Sequence, residues 1–195
     1  CTALNARVNY GLKWFAMLHS DVIPEPFWLD KLIDIADHHS ADMLSVVIPI
    51  KSPDGITSTA LSKPDGTGVS SRFTQTEVMA KGFPETFAVK DVVGQLQAHY
   101  PIGALQKLLV NTGCMIIRID QLWSDELHFT INDKIDRKFN QYIAGVEPED
   151  WFFSRIVAEK GGKVMATKAI QVTHMGVSGY NSHAVWGKPV DTLSE

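Results

Sequence analysis

Residues 14–50 read WFAMLHSDVIPEPFWLDKLIDIADHHSADMLSVVIPI, two apolar runs around an amphipathic segment. The apolar, aromatic run ending at Leu18 (residues 10–18) reads as a buried strand. It stops at three polar residues, His19, Ser20 and Asp21, and Pro24-Glu25-Pro26 then breaks the chain. Residues 27–39 place Leu29, Leu32, Ile33 and Ala36 at helical spacing, with Asp30, Lys31, Asp34 and Asp37 opposite them. Residues 43–50, MLSVVIPI, read as a second buried strand. Strand, helix and strand in this order predict a parallel pair, because parallel strands need such a crossover.

Working outward, residues 51–100 carry turn signals at Asp54-Gly55 and Pro64-Asp65-Gly66 but little periodicity. They read as a long excursion with one or two edge strands. CMIIRI after Asn111-Thr112-Gly113 reads as a strand, residues 120–127 as a short helix and residues 132–146 as a polar loop. Pro148-Glu149-Asp150 opens a helix that Gly161-Gly162 closes, since acids favour the positive end of the helix dipole. One strand is expected to run from Lys163 to His174, and residues 177–195 form a turn-rich tail. The fold class is α/β in a single domain over 1–195. Its polar clusters fall at strand carboxyl ends, where open α/β sheets bind ligands.

Composition narrows the function. The 195 residues are 45% hydrophobic and 21% charged, which suits a globular chain with its own core and excludes disorder. The net charge of −4, with aromatics that do not interleave with a basic patch, argues against nucleic-acid binding. No stretch approaches the roughly 18 apolar residues of a membrane span. Cys1 and Cys114 form no CxxC pair, so neither a disulfide framework nor a cysteine metal site is expected, and a reducing, cytoplasmic setting is favoured. There is no P-loop, no Gly-x-Gly-x-x-Gly and no Gly-x-Ser-x-Gly.

Four groups of residues carry candidate chemistry. Asp21, just past a buried strand, suits either a hard divalent cation or a turn. His174, ending the last expected strand, suits either a borderline divalent metal or a structural role. His19 lies two residues from Asp21 and stays open, while His38, His39, His99, His128 and His183 have no motif around them. Glu149 and Asp150 serve either as dipole partners or as a general base, and the dipole is expected to lower the carboxylate pKa. Thr112-Gly113 marks either a close approach of backbone to ligand or a plain turn.

Taken in order, these pieces resemble a GT-A glycosyltransferase of the family 2 type. Residues 5–11, NARVNYG, are similar to the helix that precedes the family's metal motif. His19-Ser20-Asp21 stands where the family has Asp-x-Asp. NTGCMIIR resembles its later glycine-containing strand, and PEDWFFSRIVAEKGGKV with THMG resembles its Glu-Asp helix and late metal-binding histidine. The order matches over residues 5–30 and 110–176.

The resemblance implies a GT-A-like mixed sheet and transfer of a sugar from a nucleotide-diphosphate sugar, a UDP-sugar favoured, to an acceptor hydroxyl with inversion. It implies a divalent metal at Asp21 and His174 with His19 beside them, Mn²⁺ favoured over Mg²⁺ because His19 replaces a carboxylate. Asp150 or Glu149 becomes the base. Arg7, Asn9, Ser20, Thr112 and Gly113 fall on the substrate side, with Trp151 and Trp186 either stacking on sugars or packing in the core. The family's nucleotide-binding strands precede the region matched by residues 5–11, so a segment removed from this chain, or a second chain, is expected to supply them. A GT-A-derived binding or assembly module without turnover and a nucleotide-sugar hydrolase are the alternatives.

Overall fold

The computed structural model describes residues 2–63, 68–92, 106–138, 141–184 and 186. The readings made at Cys1, Pro64-Asp65-Gly66, His99 and residues 187–195 lie outside the described residues. The chain opens with α1 (Thr2–Tyr10), β1 (Trp14–Leu18), β2 (Val22–Pro24), α2 (Trp28–His39) and β3 (Met43–Val46). Then come β4 (Ile56–Ser62), β5 (Val69–Thr74), α3 (Gln75–Val78), β6 (Thr86–Phe87), α4 (Val89–Val92), β7 (Leu108–Leu109) and β8 (Cys114–Arg118). A 3-10 turn, Leu122–Glu126, leads to β9 (Asn132–Lys138), β10 (Gln141–Glu147), α5 (Glu149–Glu159), β11 (Val164–Thr167), β12 (Val172–Met175) and β13 (Gly179–Asn181).

The fold class is α/β, built on a mixed five-stranded sheet ordered β1-β8-β3-β11-β6. β3 and β11 are parallel, while β8 is antiparallel to both β1 and β3. The expected parallel pair is therefore corrected: β1 and β3 run the same way but are not neighbours. Burial explains the insertion. Cys114, Met115, Ile116 and Ile117 on β8 are all buried, and a strand that is apolar on both faces belongs inside a sheet. β1 is only half-buried and takes the edge.

Side-chain alternation gives this sheet a core on each face. Met43, Met115, Ile117 and Ala166 point to one side, where Phe153 and Val157 of α5 and the ring cluster Phe73, Phe83 and Phe87 cover them. Leu44, Val46, Cys114, Ile116 and Met165 point to the other, under Leu32 and Ala36 of α2. α2 ends at Ser40, which adopts a left-handed φ of 50° and donates its N–H to Asp37 O. Burial pushes the Cys114 thiol up to about 12, so it serves as core and not as a nucleophile.

Three other readings are corrected. Residues 51–92 hold more order than an excursion, with β4 central in a sheet ordered β5-β4-β7. Its signal is masked because Thr57, Thr59 and Ser62 are buried; Thr57 Oγ1, for example, donates to Phe73 O at 2.8 Å. Residues 132–138 and 141–147 pair as the antiparallel strands β9 and β10 and do not form a loop. Ile135, Tyr142 and Val146 on these strands are exposed, and Arg155 ties the end of β10 to α5 through a bidentate pair with Glu147. The strand expected over residues 163–174 is two strands in different sheets. Thr167 Oγ1 accepts from Ala169 N and donates to Glu85 O, turning the chain before β12 joins β2 and β13. Among the described residues no helix is long and apolar enough to cross a membrane.

Candidate functional site

Asp21 and His174 meet because of one short pairing. The turn after β1 closes through Val22 N donating to His19 O at 3.1 Å, and β2 starts at once. β2 pairs antiparallel with β12, setting Val22 opposite His174, and Met175 N donates to Asp21 O at 2.7 Å. His174 Nε2 then lies 3.5 Å from Asp21 Oδ2. His174 Nδ1 lies 2.8 Å from Pro49 O, just beyond β3. A carbonyl only accepts, so Nδ1 carries a hydrogen and the ring is fixed with Nε2 toward Asp21. This is the arrangement by which metal-binding histidines are oriented.

Lys51 completes the cluster. Its Nζ donates to Asp21 Oδ2 at 2.5 Å, and this bond holds the Asp21 carboxyl below its ordinary range. The two side chains are 37% and 40% exposed, so the pair is worth at most about 1 kcal/mol of stability. Among the described residues no three His, Cys, Asp or Glu side chains converge as a metal cage. Asp21 and His174 thus stand as one carboxylate beside one imidazole, a donor pair of the type that borderline divalent ions such as Mn²⁺ accept.

His19 is directed elsewhere. Its Nε2 faces Thr112 Oγ1 at 3.3 Å, and its backbone N–H donates to Gly113 O at 2.8 Å. The Asn111–Gly113 loop is locked from below. Asn111 Nδ2 donates to Val46 O at 2.9 Å, its Oδ1 accepts from Gly113 N at 2.9 Å, and Ser45 Oγ donates to Asn111 O at 2.7 Å. A Cβ at Gly113 would stand 2.9 Å from Ile48 Cδ1, so the position is closed to a side chain unless Ile48 shifts. Asn111→Ala is expected to cost on the order of 2–4 kcal/mol, since each buried polar group left unpaired costs about 1–3 kcal/mol. A urea unfolding midpoint reads it.

Asp150 sits at the start of α5 with its Oδ1 accepting from Trp151 N at 2.8 Å. Burial pushes this carboxyl above its ordinary value, outweighing the backbone N–H bonds and the Arg72 charge that favour the ionised form. The lowering expected from the helix end is thereby corrected: desolvation wins. Glu149 is exposed. Trp151 is buried against Ala60 and Leu109, its Nε1 donates to Ser58 O at 3.0 Å, and the Arg72 guanidinium lies 4.4 Å over its ring. Trp151 thus packs as core, the second of its two expected roles. Residues 48–58 carry hydrogen bonds toward both the His174 cluster and the Trp151 indole. Ile48 O accepts from Ser58, whose own carbonyl holds Trp151, and Pro49 O faces His174.

The remaining expected residues fall as follows. The Arg7 guanidinium is taken up by Ile119 O, Ser124 Oγ and Asp125, fastening α1 to the 3-10 turn. Asn9 and Ser20 are exposed. Trp186 donates Nε1 to Asn181 O and packs against Tyr180, with ring centroids 5.3 Å apart. Tyr180 stands opposite His174 in the β12–β13 register, so the two share a face. Sequence reasoning missed Lys51, Arg72 and Tyr180, none of which carried a local signal of its partner. A cavity of about 370 Å³ lined by Ala88, Lys107, Ala158 and Val164 lies at the amino end of β11, the opposite strand end from this cluster. The chain matches no protein-family model, no curated protein and no solved structure.

Proposed function

We propose that this chain is a metal-dependent glycosyltransferase of GT-A type, transferring a sugar from a UDP-sugar to an acceptor hydroxyl with inversion. The observation that carries this reading is the meeting of Asp21 and His174 at one strand-end cluster, with the histidine ring fixed by Pro49. The mixed sheet, whose β1 and β3 both lead into that cluster, supports it. Asp21 and His174 would hold a divalent ion, Mn²⁺ favoured over Mg²⁺ because one donor is imidazole. When bound, such an ion supplies Lewis-acid stabilisation of the leaving diphosphate.

The other steps belong to this chain's own groups. Asp150 accepts the proton of the attacking hydroxyl, and Arg72 beside it favours the carboxylate form. The indole of Trp186, held by Asn181 and Tyr180 on the His174 side, offers a face to a sugar ring. Thr112 and Gly113, fixed by Asn111, hold the loop that carries His19 and Asp21.

The test is ligand stabilisation. Mn²⁺ with a UDP-sugar, at about 100 times Kd, is expected to raise the melting temperature by about 5–10 °C for a chain of this size. No shift at saturating ligand overturns the proposal. Product analysis with and without an acceptor then separates transfer from hydrolysis, since release of free sugar alone would mark water as the acceptor.

A further inference from the structure

We infer that Lys51 is a diphosphate-binding residue that gives this site affinity for its donor without a metal. The inference rests on the glycosyltransferase reading for the identity of the donor, but its physical basis is separate. Lys51 lies in the turn after β3, with Ile50 N bonded to Ile56 O and Ser52 N to Ile50 O at 2.8 Å. Its stem runs against Gly176, where a Cβ would stand 3.1 Å from Cδ and 3.4 Å from Cγ. The backbone after β12 thus lies along the stem of a lysine whose ammonium bonds Asp21.

An ammonium has three donors, and among the described residues Lys51 uses one, on Asp21 Oδ2. The other two are open on a side chain that is 37% exposed. The charge count points the same way. Asp21 and Lys51 sum to −1 + 1 = 0, so the cluster lacks the excess negative charge that draws a bare divalent cation, while it already presents a cation to an anion. A diphosphate is the ligand that uses both features. It accepts the two open donors, and its oxygens complete a metal shell when an ion is present.

The experiment is titration calorimetry with UDP and with inorganic pyrophosphate, in EDTA and in Mn²⁺, on the full chain and its Lys51 variants. Wild type is expected to bind both ligands in EDTA. K51M should weaken both by at least about tenfold, K51R should stay within about threefold, and uridine, which lacks phosphate, should not respond to either change. Equal affinities for wild type and K51M overturn the inference, and so does binding that appears only with Mn²⁺ and ignores Lys51; in both cases the donor reading stands. Pyrophosphate binding that is lost in K51M, with UDP bound no more tightly than pyrophosphate under any condition, upholds Lys51 and overturns the nucleotide-sugar reading. No binding of either ligand overturns both.

Discussion

Asp21→Ala and His174→Ala are each expected to abolish the Mn²⁺-dependent part of the thermal shift produced by a UDP-sugar, and Asp21→Ala to leave the unliganded melting temperature nearly unchanged. The first half follows from the ligand count. The cluster offers one carboxylate and one imidazole, so either substitution leaves a single protein ligand. A shift of about 5–10 °C in wild type should then fall to whatever diphosphate binding persists without metal. The second half follows from exposure. The Asp21 carboxylate is 40% exposed and its bond to Lys51 is weak, so its loss costs little. His174 is more enclosed, with a side chain 19% exposed and a bond to Pro49 O. His174→Gln, which can still donate to that carbonyl, is the control. It should match wild type in unliganded stability and match His174→Ala in the lost metal response. A shift retained in both Asp21→Ala and His174→Ala would show that the metal is held elsewhere.

What the sequence made legible was decided by burial. Leu32 and Ala36 recur at helical spacing because α2 covers a face of the sheet, and β3 and β8 read as strands because both their faces are enclosed. The β9–β10 pair was harder to read, since its Ile135, Tyr142 and Val146 are exposed and stand among polar residues. β11 and β12 ran together in the reading because the turn between them is made by the Thr167 hydroxyl and not by glycine or proline.

The site shows the same division. Asp21 and His174 were visible as polar residues at strand ends, but their meeting depends on a three-residue strand, Val22–Pro24, too short for any period. Lys51 was invisible as a partner because a lysine in a turn ordinarily points to water, and nothing local announces Gly176 lying against its stem. Arg7 was drawn toward the substrate side by resemblance alone, whereas its guanidinium is spent on Ile119, Ser124 and Asp125.

Asp150→Asn is expected to lower transfer by about 10²–10⁴-fold while leaving the UDP-sugar thermal shift intact, because a general base acts on the acceptor proton and not on the donor. The amide keeps an oxygen for the Trp151 N–H, so the start of α5 should not unravel. Linkage makes the loss readable. The Asp150 pKa is raised in the folded chain, so the native state holds that proton more tightly than the unfolded one. Wild type therefore gives up stability as pH rises through the unfolded carboxylate range toward the folded value, and at neutral pH the uncharged asparagine should be no less stable. The same shift sets the pH profile. The base must be ionised, so the acid limb of kcat/KM should lie above the ordinary aspartate range. Arg72→Gln removes the charge that favours the carboxylate, which should move that limb to still higher pH. An acid limb that ignores Arg72, together with full turnover in Asp150→Asn, would remove Asp150 as the base and leave exposed Glu149 to be tested in its place.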